Sequence, residues 1–247
     1  MIFNIYQLMS QITHFILPST CLFCGYWHTS SQPICLACVK DLPILSYSCS
    51  QCAESISTFH HDNHLCGTCL RSPPPFDKTY ALFPYRPPII QLITRLKFQQ
   101  QLSFATALAT LFLSNLQEWY KDKSLPDLIM PIPLHHKRLQ QRGFNQAHEI
   151  AKPIAKALAL PLDCTGIKRI KNTSAQSQLS SAKRQENIAN AFVAERSYTG
   201  MAIAVMDDVV TTGYTIREFC RVLRLNGAKS IDVWCCARNQ KSNELEV

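Results

Sequence analysis

The sequence is poor in glycine and in charged residues, and both shortages narrow what the protein can be. Only seven glycines occur in 247 residues, and none begins or closes a G-x-x-x-x-G-K-[ST] loop or a G-x-G-x-x-G turn. The P-loop and dinucleotide-binding fingerprints are therefore excluded. Charged residues make up only 17% of the chain, yet no stretch has 18 uninterrupted apolar residues, so a membrane span is not expected. With 47% apolar residues, the chain can bury a substantial core.

The N-terminal segment, residues 2–17, is apolar but lacks the basic region and the small-residue cleavage site of a secretory signal. We expect an amphipathic helix that packs on the body of the protein, and weak association with a membrane surface is the alternative. Without a secretory signal, we expect a cytoplasmic protein with no membrane insertion.

Cysteine is abundant, and eight of the twelve cysteines form four C-x-x-C pairs. The pairs, separated by ten, ten and thirteen residues, are Cys21/Cys24, Cys35/Cys38, Cys49/Cys52 and Cys66/Cys69. Two thiolates on one tight turn can bind the same tetrahedral Zn²⁺, so four pairs predict two structural zinc sites in a double zinc ribbon. Disulfides are the alternative, but the missing secretory signal favours metal.

Which pairs share a metal is left open by the sequence. Sequential pairing suits the short gaps, and a cross-braced arrangement is also possible. His60, His61 and His64 lie near the fourth pair, but eight cysteines already fill two sites, so these histidines are expected on the surface. The four remaining cysteines lie in mostly apolar settings and are expected to be buried.

A proline-rich stretch divides the chain. Three consecutive prolines follow Ser72, which is typical of a linker. We therefore predict a ribbon region over residues 1–71 and an α/β domain over residues 72–247. In the second region a helix from near Pro88 is predicted to break around residues 99–102. Strands are predicted at residues 127–132, 202–206 and 231–236.

The most informative segment is IAVMDDVVTTGYT, residues 203–215. A buried strand ending at residue 206 and a helix over residues 215–225 would place two carboxylates and a threonine-rich turn at a strand end. Such a turn offers N–H groups and hydroxyls to a phosphate, while the carboxylates can accept hydrogen bonds from ribose hydroxyls. The alternative is a strand end with an ordinary turn. The segment resembles the phosphoribosyl pyrophosphate (PRPP) signature of type I phosphoribosyltransferases, which assigns PRPP binding to Asp207, Asp208, Thr211, Thr212, Gly213, Tyr214 and Thr215.

Positive charge is concentrated immediately before this segment. Residues 131–184 contain ten Lys or Arg against two acids, whereas the rest of the chain has fifteen residues of each sign. The whole excess of +8 therefore lies in one region, which suits a polyanion such as pyrophosphate or nucleic acid. A solvated basic face is the alternative.

Two further segments complete a pattern: PIPLHHKRLQQRGFNQAHEIA, residues 131–151, and RIKNTSAQSQLSSAKRQENIANAF, residues 169–192. With the cysteine pairs and residues 203–215, the order P-x-P, R-G-F-N-Q, T-x-x-Q, R-x-x-N and D-D-x-x-T-T-G-x-T resembles the ComF family over nearly the whole chain. The resemblance implies a type I phosphoribosyltransferase fold, a parallel sheet flanked by helices, preceded by a small cysteine-rich zinc-ribbon domain.

The resemblance also implies roles for individual residues. Residues after the first strand would bind diphosphate, namely Lys137 and Arg138. The R-G-F-N-Q segment would hold that loop or line the base side through Arg142, Asn145 and Gln146. A flexible catalytic loop would contain Arg169, Lys171, Thr173 and Gln176, anchored by Arg184 and Asn187. The residues expected to take part in catalysis are Arg138, Arg169 and Lys171. Tyr214 is bulky for the phosphate turn, and Pro153 interrupts a helical stretch.

Two hypotheses about function remain. In the first, the protein binds PRPP or ribose phosphate with Mg²⁺ and handles imported single-stranded DNA in natural transformation, with a competence helicase as a possible partner. In the second, it is an active phosphoribosyltransferase on an unidentified nucleobase or nucleotide, with no direct DNA contact. Stacking aromatics are few, and core packing is expected for Phe98 and Phe144. DNA contacts are assigned to Lys137, Arg138, Arg142, Lys168, Lys183 and Arg184.

Overall fold

A computed structural model describes residues 19–30, 32–45, 47–56, 64–99, 101–173 and 186–240. The predicted N-terminal helix at residues 2–17 lies outside the described residues. So do Gln176 of the predicted catalytic loop, its predicted anchor Arg184, and Lys183, a predicted DNA contact.

The cysteine-rich region contains only short elements. Strand β1 (Ser19–Thr20) pairs antiparallel with β2 (Trp27–His28), and two five-residue helices follow, α1 (Leu36–Lys40) and α2 (Gly67–Arg71). Each helix begins directly after a cysteine, which occupies its N-cap position. Elements this short cannot bury a core of their own, so we expect the region to depend on metal binding and on packing against the rest of the chain.

The centre of the protein is a four-stranded parallel sheet. Its strands are β3 (Lys78–Pro84), β4 (Leu128–Pro131), β7 (Ala202–Val210) and β8 (Ser230–Arg238), in the order β3-β8-β7-β4. In the register of the sheet, Met206 lies opposite Pro131 on one side and Trp234 on the other. β7 and β8 are the central strands, and both read as near-continuous apolar runs, as expected for strands buried on two faces.

In the described part of the chain, helices and a hairpin lie around this sheet. The helices are α3 (Ile89–Gln99), α4 (Ser103–Trp119), α5 (His136–Arg142), α6 (Gln146–Leu158) and α7 (Tyr214–Leu225). The predicted break near residues 99–102 is confirmed, because α3 ends at Gln99 and α4 begins at Ser103. Helix α6 continues through Pro153. The hairpin consists of β5 (Ile167–Arg169) and β6 (Phe192–Ala194).

The side chains of the central strands alternate between two cores. On β7, Ala204 and Met206 belong to the core under α3, α4 and α6, whereas Ile203 and Val205 belong to the core under α7. This alternation follows from the period of two in a strand. The result is a helix–sheet–helix sandwich, the α/β class predicted from the sequence. Among the described helices, none combines the length and apolar composition needed to cross a membrane.

Candidate functional site

The candidate site lies where strand β7 extends beyond the end of its neighbour β4. β4 pairs with β7 only as far as Pro131 opposite Met206, and the N–H of Ile132 makes a last bond to the Met206 carbonyl at 2.9 Å. β7 continues to Val210 beside β8. A cleft of about 480 Å³ opens at this carboxyl edge of the sheet, the place where open α/β sheets bind ligands. Polar residues that line it include Lys97, Arg138, Arg142, Asn145, Gln146, Arg169, Thr173, Asn187, Asp207, Asp208, Thr211, Thr212, Tyr214, Thr215 and Asn239.

The two aspartates lie within β7 rather than after it. The predicted strand end at residue 206 is therefore too early, because pairing with β8 carries β7 on to Val210. Neighbouring residues of a strand point to opposite faces, so the two carboxylates diverge toward different helical layers while both line the cleft. Burial, together with the adjacent Asp208 carboxylate, raises the pKa of Asp207 to about 7.

Asp208 is paired with a lysine that the sequence motifs did not indicate. Lys97, in the last turn of α3, places its Nζ 2.6 Å from Oδ2 of Asp208. Both side chains are largely buried, with exposed fractions of 20% and 11%. The cleft thus contains an ion pair between Lys97 and Asp208. A ligand hydroxyl or a cation that binds the Asp208 carboxylate must compete with Lys97 for it.

The turn from β7 into α7 has the shape expected of a phosphate-binding turn. Gly213 is the N-cap of α7 with φ of 78°, a conformation that strains any residue with a Cβ. The first N–H groups of α7 have no acceptor within the helix and carry a partial positive charge. Thr211, Thr212 and Thr215 bring three hydroxyls to the same place, and all three line the cleft.

The wall of the cleft opposite the turn of residues 211–215 contains hydrogen-bond donors. Arg142 donates to Oε1 of Gln146 at 2.8 Å, and because a guanidinium can only donate, the amide NH₂ of Gln146 must point away from it. Gln146 is 3% exposed, and within the described residues nothing accepts from its Nε2 or from Nε of Arg169. Two residues that line the cleft thus each have a buried donor with no acceptor among the described residues.

The loop after β4 is fixed at both ends. Asn145 caps α6 by accepting from the N–H of Ala147 and donates to the Ile132 carbonyl at 2.9 Å. His135 caps α5 by accepting from the N–H of Lys137. Burial, then the neighbouring His136 and cations, lowers the pKa of His135, which keeps the ring neutral and able to accept.

Several predicted residues do not line the cleft. Lys137 is exposed on α5, and Nζ of Lys171 donates to the Ala189 carbonyl at 2.6 Å. Lys168 forms an exposed ion pair with Glu195 at 2.8 Å. The predicted roles of Lys137 and Lys171 thus require a change in side-chain position on binding.

One aromatic residue lies at the rim of the cleft. Phe98 is 70% exposed, so the expected core role is wrong for it, whereas Phe144 is partly buried against the core. The Arg142 guanidinium lies 5.5 Å from the centre of the Phe98 ring. Beside a basic wall, this ring offers a flat apolar surface to solvent.

The eight paired cysteines form two compact clusters. The first cluster is Cys21, Cys24, Cys35 and Cys38, and the second cluster is Cys49, Cys52, Cys66 and Cys69; in each, the sulfur atoms lie within 4.8 Å of one another. Sequential pairing, left open by the sequence, is therefore what the structure has. All twelve cysteines are free of disulfides, and four converging thiols suit a structural zinc ion.

In each cluster, a backbone N–H group supports one sulfur atom as a thiolate. The N–H of Cys35 donates to Sγ of Cys21, and that of Cys66 donates to Sγ of Cys49 at 3.2 Å. At Cys21 burial acts to raise the pKa, but the hydrogen bonds, led by that from Cys35, outweigh it and lower the pKa to about 6. Thiolates are the form that binds zinc.

Comparison with known proteins finds two family models along the chain. Residues 12–70 match the double zinc ribbon domain, and residues 145–246 match the phosphoribosyl transferase domain. The DNA utilization protein YhgH of Salmonella typhimurium is 34% identical over 90% of this chain and 98% of its own. Competence protein F of Haemophilus influenzae is 34% identical over 88% of this chain and 96% of its own. The chain belongs to the ComF family. Its similarity extends to competence protein ComFC of Bacillus subtilis, with 26% identity over 79% of this chain and 80% of that protein.

As a ComF protein, the chain has a type I phosphoribosyltransferase fold preceded by a double zinc ribbon. Two tetra-cysteine zinc sites fit that ribbon.

We expect two zinc ions per chain, and loss of one when either cluster is broken. Cys24→Ser and Cys66→Ser should each retain one ion, because three thiolates bind Zn²⁺ far less tightly than four. Cys164→Ser is the matched control, since Cys164 is exposed and outside both clusters, and it should retain two. Elemental analysis of the purified proteins measures the content, and two ions in Cys66→Ser would contradict the assignment.

Proposed function

We propose that this ComF protein binds a ribose 5-phosphate group, as part of PRPP or a related sugar phosphate, and takes part in handling single-stranded DNA during natural transformation. The observation that carries the binding proposal is the convergence, in one cleft, of the α7 turn, the aspartate pair of β7 and the arginines of the opposite wall. The names of its relatives, DNA utilization protein and competence protein, support the cellular role.

The cleft divides naturally into parts for the ligand. The 5′-phosphate would lie on the turn of residues 211–215, where N–H groups and hydroxyls donate to its oxygens. The ribose hydroxyls would donate to Asp207 and Asp208, and a diphosphate at C1 would lie toward Arg138 and Arg169. Mg²⁺, if bound, would be held near the two carboxylates, whose oxygens are suitable ligands, and would supply neutralisation of the diphosphate charge.

The threonine hydroxyls provide a test of the phosphate position. Thr212→Val/Thr215→Val keeps side-chain size but removes two donors to a charged group, so affinity for ribose 5-phosphate and for PRPP with Mg²⁺ should fall about tenfold or more. Calorimetric titration measures both ligands. Thr110→Val, which removes a hydroxyl from an exposed face of α4, is the control and should bind normally. Equal affinity in all three proteins, or no binding to wild type, would rule out the sugar-phosphate site.

The DNA proposal rests on charge and on one exposed ring. Arg138 lines the cleft, the neighbouring Lys137 is exposed on α5, and Phe98 exposes its ring beside Arg142. Basic side chains contact the backbone of a single strand, while an exposed aromatic ring stacks on a base.

The contributions of phosphate contacts and of base stacking to DNA binding can be separated by their dependence on salt concentration. Lys137→Ala/Arg138→Ala should weaken binding of a fluorescent single strand and flatten the log–log salt dependence by about 1.4, from roughly 0.7 per phosphate contact. Phe98→Ala should weaken binding by about 1–3 kcal/mol and leave the salt slope unchanged. Fluorescence anisotropy at several salt concentrations measures both.

Matched variants lie elsewhere on the surface. Lys121→Ala/Lys229→Ala removes two exposed charges away from the cleft, and Tyr26→Ala removes a comparably exposed ring, 72% accessible, on the ribbon. Both should bind as wild type does. Loss of binding in Tyr26→Ala, with Phe98→Ala unaffected, would place the DNA contact on the ribbon instead.

A second candidate function, phosphoribosyl transfer to a base without DNA contact, is favoured by Gln146. Its unpaired amide donor lies in the wall opposite the phosphate turn, where it could hold a carbonyl oxygen of an acceptor. In the reaction the C1–O bond to pyrophosphate breaks, a C1–N bond to the acceptor forms, and the acceptor nitrogen loses its proton to solvent. Arg138 and Arg169 would stabilise the charge of the leaving pyrophosphate.

Turnover distinguishes the two candidates. If the enzyme hypothesis holds, one nucleobase in a panel should release pyrophosphate from PRPP, and Gln146→Met should lower kcat/KM for that base while PRPP affinity stays within about twofold. A coupled phosphate assay measures release, and calorimetry measures affinity. Absence of release with every base, together with normal PRPP binding, would exclude the enzyme hypothesis and leave the binding hypothesis standing.

A further inference from the structure

A single arginine joins the second cysteine cluster to the phosphate-binding turn. Arg238 is the last residue of β8 and lies opposite Val210, the last residue of β7. Only 4% of it is exposed. Its position at the end of a central strand places the guanidinium between the start of the turn and the ribbon.

On the side of the turn, the guanidinium fixes two carbonyl groups. Nη1 of Arg238 donates to the carbonyl of Val210 at 3.1 Å and to the carbonyl of Thr211. The N–H of Asn239 adds a bond to the same Val210 carbonyl at 2.9 Å. The charged guanidinium of Arg238 therefore holds the backbone where it enters the phosphate-binding turn. Hydrogen bonds from a charged donor are stronger than neutral ones.

On the side of the ribbon, the Arg238 guanidinium binds Cys52, a member of the second cluster, and Glu54, two residues further along the chain. Nε of Arg238 donates to the carbonyl of Cys52 at 2.9 Å, and Nη2 forms a buried ion pair with Glu54. The Glu54 carbonyl in turn accepts from the N–H of Cys49 at 2.7 Å. Gln240 adds a bond to the carbonyl of Ala53 at 3.3 Å. The positions of Cys49 and Cys52 and the position of Arg238 thus depend on one another.

The first cluster has different neighbours. It packs on Ala107 and Leu111 of α4, in the layer behind the sheet. The two clusters have the same four ligands, so the first cluster provides an internal comparison for any effect of zinc on the turn.

We propose that Arg238 positions the phosphate-binding turn in response to the second cluster, so that zinc in the second cluster, but not in the first, is required for tight binding of a phosphate on residues 211–215. The part that concerns phosphate affinity rests on the proposed function. Without zinc, the carbonyl of Cys52 and the carboxylate of Glu54 lose their fixed positions, and the planar fork of Arg238 can no longer satisfy both sides at once. Coupling between two sites is reciprocal, so a bound phosphate raises the affinity of the second cluster for zinc by the same factor.

The link itself is tested without any ligand. Arg238→Lys keeps the charge but not the fork, and amide hydrogen exchange of residues 211–215 should become about tenfold faster. Zinc release to a chromophoric chelator should accelerate for one of the two ions. Arg224→Lys is the matched control, because Arg224 also bonds several groups, including the Pro75 carbonyl and Asp77, but near the other end of α7. Unchanged exchange and zinc release in Arg238→Lys would overturn the proposal.

The effect on affinity is tested with ribose 5-phosphate. Cys66→Ser and Arg238→Lys should bind it about tenfold more weakly than wild type, whereas Cys24→Ser and Arg224→Lys should bind it normally. Equal losses in Cys24→Ser and Cys66→Ser would refute a specific role for the second cluster. If wild type binds no ribose 5-phosphate, the proposed function is wrong, and the exchange and zinc-release measurements still decide whether Arg238 links cluster and turn.

Discussion

The unequal length of two neighbouring strands is the constraint on which the site depends. Beyond Met206, β7 keeps β8 on one side and loses β4 on the other. The freed edge cannot remain open to the interior without hydrogen-bond partners. The carboxylate of Asp207 accepts from the N–H of Asp208, and that of Asp208 accepts from the N–H of Val209. The aspartate side chains therefore bind backbone N–H groups of β7 as well as lining the cleft.

Only part of the charge in the cleft is paired before any ligand arrives, because four cationic side chains line it against two carboxylates. Lys97 neutralises Asp208, and the pKa of Asp207 lies near 7 because of burial and its charged neighbour. Burial, then the neighbouring Arg138, lowers the pKa of Arg142 and Arg169. A ligand with both hydroxyls and phosphates can exchange these internal contacts for its own, which favours ligands that complement both signs of charge.

The parts of the structure that could be predicted from the sequence are those encoded by local patterns. The strand, turn and helix around residues 203–215 follow from apolar spacing and one glycine, and the zinc sites follow from short repeats of cysteine. Lys97, Asn239 and Arg238 carry no local signal, because only the packing of distant segments brings them to the turn. The extent of β7 was also missed, since it is set by pairing with β8 rather than by its own residues. Phe98 sits where helical periodicity alone does not separate buried from exposed aromatics.

The ion pair between Arg238 and Glu54 has a consequence for how the chain can be divided. The cysteine-rich region and the sheet differ in composition, and a linker of prolines separates them in sequence. Yet a fragment that begins after that linker would keep the buried guanidinium and lose the Glu54 carboxylate and the Cys52 carbonyl. A buried charge left without its partner is strongly destabilising. We therefore expect the two regions to unfold as one cooperative unit, and a ribbon grafted from another protein would serve only if it carried the acceptors that Arg238 contacts in the ribbon.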